Sequence, residues 1–406
     1  MGGGVVSGAR YRWVVLAVGT FAQATVSAIM FSVAVLAPEL RTHFDLTLAQ
    51  TGVVLAALTI GMTPALLPWG LFTDRVGERI VLPLGLGLSA LFLGRVGAAA
   101  GFEELVGLLV ATGVLSASAN AASGRAVMHW FAPSERGLAL GIRQSSVPLG
   151  GLFAALALPP LADAVGLGWT YVVLASACAT AALGGATLLR NPRRRAEPTR
   201  PAAAAGKTLR NGSLWKISSG SALIVVAQTA TMSFTVLFLS EGRNLSTHAA
   251  ALVLAASQVL GVTFRILAGH WSDRRGNRIV PLCRLAVVIA ASLAVVAALA
   301  QAPLWFLVPV VVLAGGIGMS WNGLSFVAAA EIAGPAATGA AIGLQQTLLG
   351  IAGILTPIGF AALVSATSWR TAFLAAGLFP LAGWALMHPL AAGRGRGSLS
   401  RARALR

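Results

Sequence analysis

Charge is scarce in this chain, and acidic charge is scarcest. Twelve Asp and Glu stand against 29 Lys and Arg in 406 residues, and charged residues make up only 10% of the whole. With 57% of positions hydrophobic and a mean hydropathy of +0.82, a soluble globular fold is excluded, because it could not hide this much apolar surface from water. Cysteine is nearly absent as well. Cys178 and Cys283 both fall in or beside apolar runs, which excludes a disulfide framework and a thiolate metal site and leaves them as filler. The chain has no G-x-x-x-x-G-K-[ST] loop, no H-E-x-x-H and no large polar domain, so a transport ATPase or other enzyme is excluded and no cofactor or metal is expected.

What the chain does have is apolar runs of about 20 residues, the length that crosses a hydrocarbon core of about 30 Å as a helix. Twelve fit, near 13–37, 49–71, 80–100, 104–128, 138–162 and 168–190, then near 214–240, 247–270, 279–300, 304–330, 338–365 and 370–391. The first run is too long for the core of a cleaved signal peptide and reads as a span. Between the sixes, a Pro, Ala and Arg-rich stretch reads as a linker. The organisation expected is therefore a six-helix bundle over 1–190, a cytoplasmic linker over 191–213, and a second six-helix bundle over 214–406 ending in a basic tail.

The formal charge of +17 would suggest nucleic acid in a soluble protein, but here the basic residues occupy alternate loops, and no nucleic-acid partner is expected. Arg10, Arg12, Arg75, Arg79, Arg136, the linker arginines, Arg274, Arg275, Arg278 and the tail share one side, while the other side holds little more than Arg41, Arg243 and Arg370. This positive-inside bias predicts a multi-pass plasma (inner) membrane protein with both termini in the cytoplasm. The preference for Arg over Lys suggests a GC-rich bacterial source.

The two halves repeat each other. Gly70-Leu-Phe-Thr-Asp74-Arg75-Val-Gly77-Glu-Arg79 after span two is answered by Gly269-His-Trp-Ser-Asp273-Arg274-Arg-Gly276-Asn-Arg278 after span eight. Span five opens Gly137-Leu-Ala-Leu-Gly-Ile-Arg143-Gln144-Ser145, and span eleven opens Gly339-Ala-Ala-Ile-Gly-Leu-Gln345-Gln346-Thr347. Ser118-Ala-Asn120-Ala-Ala-Ser123 in span four matches Ser320-Trp-Asn322-Gly-Leu-Ser325 in span ten, and Gln23 answers Gln228. Matches in the same order imply a duplicated six-span unit.

The paired G-x-x-x-D-R-x-G-x-R segments resemble the loop signature of the major facilitator superfamily, over the whole chain. The resemblance implies an all-α membrane fold of twelve transmembrane helices, arranged as two pseudo-symmetric six-helix bundles around a central cavity. It also implies a gate. Gly70 and Gly269 would let helices approach closely, Asp74 and Asp273 would face a neighbouring helix N-terminus, and Arg75, Arg79, Arg274 and Arg278 would bind the aspartates and lipid phosphates, with Gly77 and Gly276 at the turns. The plainer alternative is that these charges are topogenic alone.

Polar groups inside spans point to a pathway, since an unpaired one is costly in lipid. All twelve acids lie in loops or at span ends, whereas Arg125, Arg143 and Arg265 lie inside spans. Fixed cations without a buried carboxylate ask for an anion, which the planar guanidinium grips bidentately without losing its proton. An arginine in the eighth span is also similar to the arrangement in monocarboxylate and oxalate-type members of the superfamily. Gln23, Gln144, Gln228, Asn120, Asn322, Gln345 and Gln346 complete the candidate substrate site. The plainer readings are that the arginines pair with Asp273 or snorkel, and that the amides are interhelical glue.

The reading that results is a secondary active transporter, working as a monomer among membrane lipids and moving a small organic anion by alternating access. An efflux carrier for drugs or metabolites is the alternative within the class, and a non-transporting sensor of the same fold is the alternative outside it. Leu109 stands where many proton-coupled members carry an arginine, and Pro148-Leu-Gly150-Gly151 is an incomplete antiporter signature. A coupling proton would have to use Asp163, Glu39, Glu331, a histidine such as His129, or the substrate itself.

Overall fold

A computed structural model of the chain describes residues 3–131, 136–190, 210–275, 277–334 and 338–404. Regular structure among them is helical: α1 (Gly3–Val35), α2 (Ala37–His43), α3 (Leu48–Val76), α4 (Glu78–Arg95), α5 (Phe102–Trp130), α6 (Arg136–Leu188), α7 (Gly212–Glu241), α8 (Thr247–Arg275), α9 (Ile279–Ala298), α10 (Leu304–Gly318), α11 (Asn322–Ala333), α12 (Thr338–Ala366) and α13 (Trp369–Ala404), with a single 3₁₀ turn at Val96–Ala98. Among the described residues, eleven apolar segments are long enough to cross a membrane. One of these, Ile142–Leu188, runs 47 residues and is broken at Gly166, whose φ of 80° and ψ of 165° suit only glycine. That break makes room for two crossings in one segment, and for twelve among the described residues, so the chain is a multi-pass all-α membrane protein.

Two boundaries differ from the sequence expectation. The tenth span is not continuous, because α10 stops at Gly318 and α11 begins at Asn322. Gly315, Gly316 and Gly318 weaken the helix there, and its end tightens through Met319 N–H to Gly316 O and Ser320 N–H to Ile317 O. The last helix also runs past its span into the basic tail.

Local chemistry sets the starts of several helices. Thr47 caps α3 through a reciprocal box with Gln50, Asn211 caps α7 at Ser213 N–H, and Asn277 Oδ1 accepts from the amides of Ile279 and Val280 at the start of α9. The turns entering α3 and α8 both pass through a left-handed residue, Asp45 (φ 49°) and Asn244 (φ 55°), a conformation these two side chains tolerate.

The helices gather into two compact units. The first is Met1–Ala196 with Leu239–Glu241 and Leu245–Ala255; the second is Glu197–Phe238, Gly242–Asn244 and Ala256–Arg406. In the first, α1 packs along α6, α3 along α5, and α4 against both α5 and α6. Apolar attraction does not hold helices together in lipid, so close fit has to. Gly61 and Gly113 supply it: a Cβ on Gly61 would lie 2.0 Å from Val110 O, and one on Gly113 would lie 2.1 Å from Leu58 O. In the second unit α9 packs along α13, and an aromatic cluster of Phe234, Phe238, Phe360, Trp369 and Phe373 fills the space between α7, α12 and α13. Large apolar side chains face outward, with Leu67 71% and Leu91 68% exposed, as a lipid-solvated surface requires.

Candidate functional site

Arg143 lies in the first arm of α6 and is buried, 8% exposed. Its Nε donates to Ser123 Oγ (2.9 Å) on α5, Nη1 to Gln144 Oε1 (3.0 Å), and Nη2 to Gln23 Oε1 (3.0 Å) on α1, with Asn120 offering its carbonyl at 3.2 Å and Oδ1 at 3.5 Å. Three helices of the first unit thus converge on one guanidinium, and the sequence candidates Arg143, Gln144, Gln23 and Asn120 come together. Every partner is a neutral oxygen. Among the described residues Arg143 has no carboxylate partner, and one of its Nη1 hydrogens has no acceptor. A buried cation held only by dipoles keeps its full charge, which suits attraction of an anion.

The second unit places its candidates in two smaller networks. Gln228 Oε1 on α7 accepts from Trp321 Nε1 (3.0 Å) and Asn322 Nδ2 (3.4 Å) at the break between α10 and α11. Gln345 on α12 is fully buried, with its Nε2 on Ser325 Oγ and Ser221 Oγ, and with its Oε1 lacking a partner among the described residues. Gln346 is exposed. Arg265, half-buried on α8, donates from Nε to Met319 O at 3.3 Å, satisfying a carbonyl that the helix break leaves free. Trp321 and Ser221 escaped sequence reasoning. Trp321 could have been found from its place beside Asn322 in the repeated segment, but nothing marked Ser221 among the other serines.

Arg125 stands in a different setting from Arg143. It donates from Nη1 to the Thr73 carbonyl and pairs through Nε with Glu78 Oε1 at 3.8 Å, stapling α5 to the turn between α3 and α4. Gly77 makes that turn with φ at 88°, ending α3 and starting α4. The matching turn in the second unit is held by Arg278, which reaches Ser272 Oγ (3.0 Å) and Glu331 Oε1 (3.4 Å) on α11. Arg75, Arg79 and Arg274 are exposed. Among the described residues a Cβ on Gly70 or Gly269 would meet nothing within 4 Å, whereas one on Gly61, Gly85 or Gly113 would press into a neighbouring helix. The side chains of Asp74 and Asp273, and Gly276 altogether, lie outside the described residues, as does the side chain of His129.

The family model of the Major Facilitator Superfamily matches residues 16–357. This chain belongs to the Major Facilitator Superfamily. Superfamily members are membrane transporters of small molecules rather than enzymes. An uncharacterized MFS-type transporter of Mycobacterium tuberculosis is 32% identical over 383 residues, covering 93% of this chain and 84% of the relative. The hexuronate transporter of Bacillus subtilis is 28% identical over 120 residues, 30% of this chain and 28% of that protein. Among solved superfamily structures, a bacterial homolog of the human lysosomal transporter Spinster, inward-facing and unoccupied, matches with a TM-score of 0.80 at 18% identity over 93% of this chain and 96% of that one. At that identity the likeness speaks for the fold alone.

Proposed function

We propose that this superfamily member is a secondary active transporter of a small organic anion, working by alternating access, with Arg143 as the residue that holds the anion. The observation that carries the reading is the buried Arg143 guanidinium, held by neutral oxygens and left with a spare N–H among the described residues. The similarity to a hexuronate transporter supports it, since a hexuronate is a carboxylate. Gln23, Gln144 and Asn120 would orient the fork, and in the second unit Arg265, Gln228, Asn322, Gln345 and Gln346 stand as further candidates. In this reading the turns around Arg75, Gly77, Arg79, Arg274 and Arg278, with Asp74 and Asp273, form the gate on the cytoplasmic side, where both termini also lie. The carrier acts as a monomer.

A second reading is favoured by one observation. A cavity of about 630 Å³ in the second unit is lined almost wholly by apolar side chains, among them Val226, Ile351, Leu355, Phe360 and Phe379, which suits efflux of a lipophilic solute. A thermal-shift screen of the purified protein separates the two. Small carboxylates, sugar acids included, are expected to raise Tm and hydrophobic dyes are not, and carboxylate exchange in reconstituted vesicles is expected to follow. Stabilisation by dyes alone would move the assignment to efflux, and binding without exchange would move it to a sensor.

A further inference from the structure

Glu39 stands apart from the other acids of the chain. It lies in α2, beyond the span that ends at Val35, and its Oε2 is fully buried without a hydrogen-bond partner among the described residues. The carboxylate accepts from the side chain of Thr247, in the first turn of α8, which clusters with the first unit. Around it stand Asp163, beside the break of α6, paired with His248 Nε2 at 3.5 Å, and the fully buried Tyr171. Arg41, on the same helix as Glu39, does not neutralise it, because its guanidinium is engaged by Glu241 and by the Leu46 carbonyl. His43, also on α2, is exposed and stacks edge-on against Phe44.

An ionised oxygen sealed from water with no donor is costly, and taking up a proton removes that cost. We propose that Glu39 is a proton-binding site, which holds a proton while the first turn of α8 rests on α2 and releases it when that turn withdraws and water reaches Oε2. The physical setting agrees. Burial, and to a lesser degree the neighbouring Asp163, raises the Glu39 carboxyl above its usual value, against the opposing effect of its own backbone amide, Thr247 and His248. A raised pKa in the assembled arrangement means that assembly is favoured at acidic pH and weakens as pH rises through that raised value. The link to transport rests on the carrier reading, for a cycle that breaks and remakes this contact would bind and release a proton. The site itself can be tested without any substrate.

The test places spin labels on Thr42→Cys and Ser246→Cys, both exposed positions of the first unit, in the full chain with Cys178 and Cys283 replaced by Ala. Distance distributions between the labels should gain a short-distance population as pH is lowered, with a midpoint above that of an ordinary glutamate. Glu39→Gln should hold the short distance at every pH. Thr247→Val, which removes a donor to the anion, should move the midpoint upward. A distribution that ignores pH, or a dependence that survives Glu39→Gln and disappears in His248→Gln, overturns the proposal. Neither outcome bears on anion flux, so the proton site and the anion reading fail separately.

Discussion

Arg143 and Gln345 occupy corresponding places in the duplicated sequence, and the two units treat them differently. In the first unit Arg143 Nε donates to Ser123, and in the second Gln345 Nε2 donates to Ser325, the serine that answers Ser123 in the repeat. The glutamines on the first helix of each unit then part company. Gln23 turns its oxygen to Arg143, whereas Gln228 turns its oxygen to Trp321 and Asn322. A neutral hydrogen-bonded scaffold therefore suffices to tie three helices together, as the second unit does with Ser221, Ser325 and Gln345. The charge in the first unit is an addition to that scaffold. Its desolvation is offset by oxygens from Gln23, Asn120, Ser123 and Gln144, a concentration of acceptors that a merely structural contact between helices does not need.

Making the second unit resemble the first should have the largest effect. Gln345→Arg puts a cation where Ser221 and Ser325 are the acceptors at hand, and it is expected to destabilise the protein by about 3 kcal/mol, measured as a lowered Tm or a lower denaturant midpoint. An unchanged Tm would mean that the second network can accept a charge and that the two units differ less than their partners suggest. The reverse exchange, Arg143→Gln, should leave the fold intact while lowering kcat/KM for an identified anion about 100-fold, or roughly 2.7 kcal/mol, in vesicle uptake. Full uptake in this variant would end the anion role of Arg143. Arg143→Lys keeps the charge but not the fork, so about a tenfold loss is expected in the same assay. Smallest of all, Ser325→Ala should cost about 0.6 kcal/mol of stability with flux unchanged, since an interhelical hydrogen bond in a membrane protein contributes little. A large flux defect there would show that the second network is more than glue.

A further difference between the units lies at their repeated turns. Arg125 on α5 reaches Glu78 in one, and Arg278 reaches Glu331 on α11 in the other, so the acid belongs to the turn in the first unit and to the facing helix in the second. Either orientation staples the turn, because an ion pair has no preferred direction along the chain. Selection for the staple therefore leaves no simple repeat in the sequence, and only one member of the first pair, Arg125, stood out as a candidate.

Much of the architecture was legible without coordinates because lipid imposes a length and an apolar composition on every crossing. Twelve runs, a doubled turn segment, and three arginines inside apolar runs all follow from residue types and spacing. The interruption at Gly318–Trp321 was less legible, since its three glycines resemble the packing glycines of other spans. Glycine is ambiguous for the same reason: a small residue marks either a close contact, as at Gly61, or open space among the described residues, as at Gly70 and Gly269, and the letter is identical.

The amino-acid sequence alone determined that this protein lives in a membrane, that its body is duplicated, and that the charge within its spans is positive, because each of these depends on composition and order along the chain. Only the tertiary structure decided that Arg143 is ringed by neutral oxygens while Arg125 is spent on Glu78, and that one carboxylate oxygen of Glu39, Oε2, is buried. Those outcomes depend on which side chains from distant helices meet, and a charge takes its meaning from its partners.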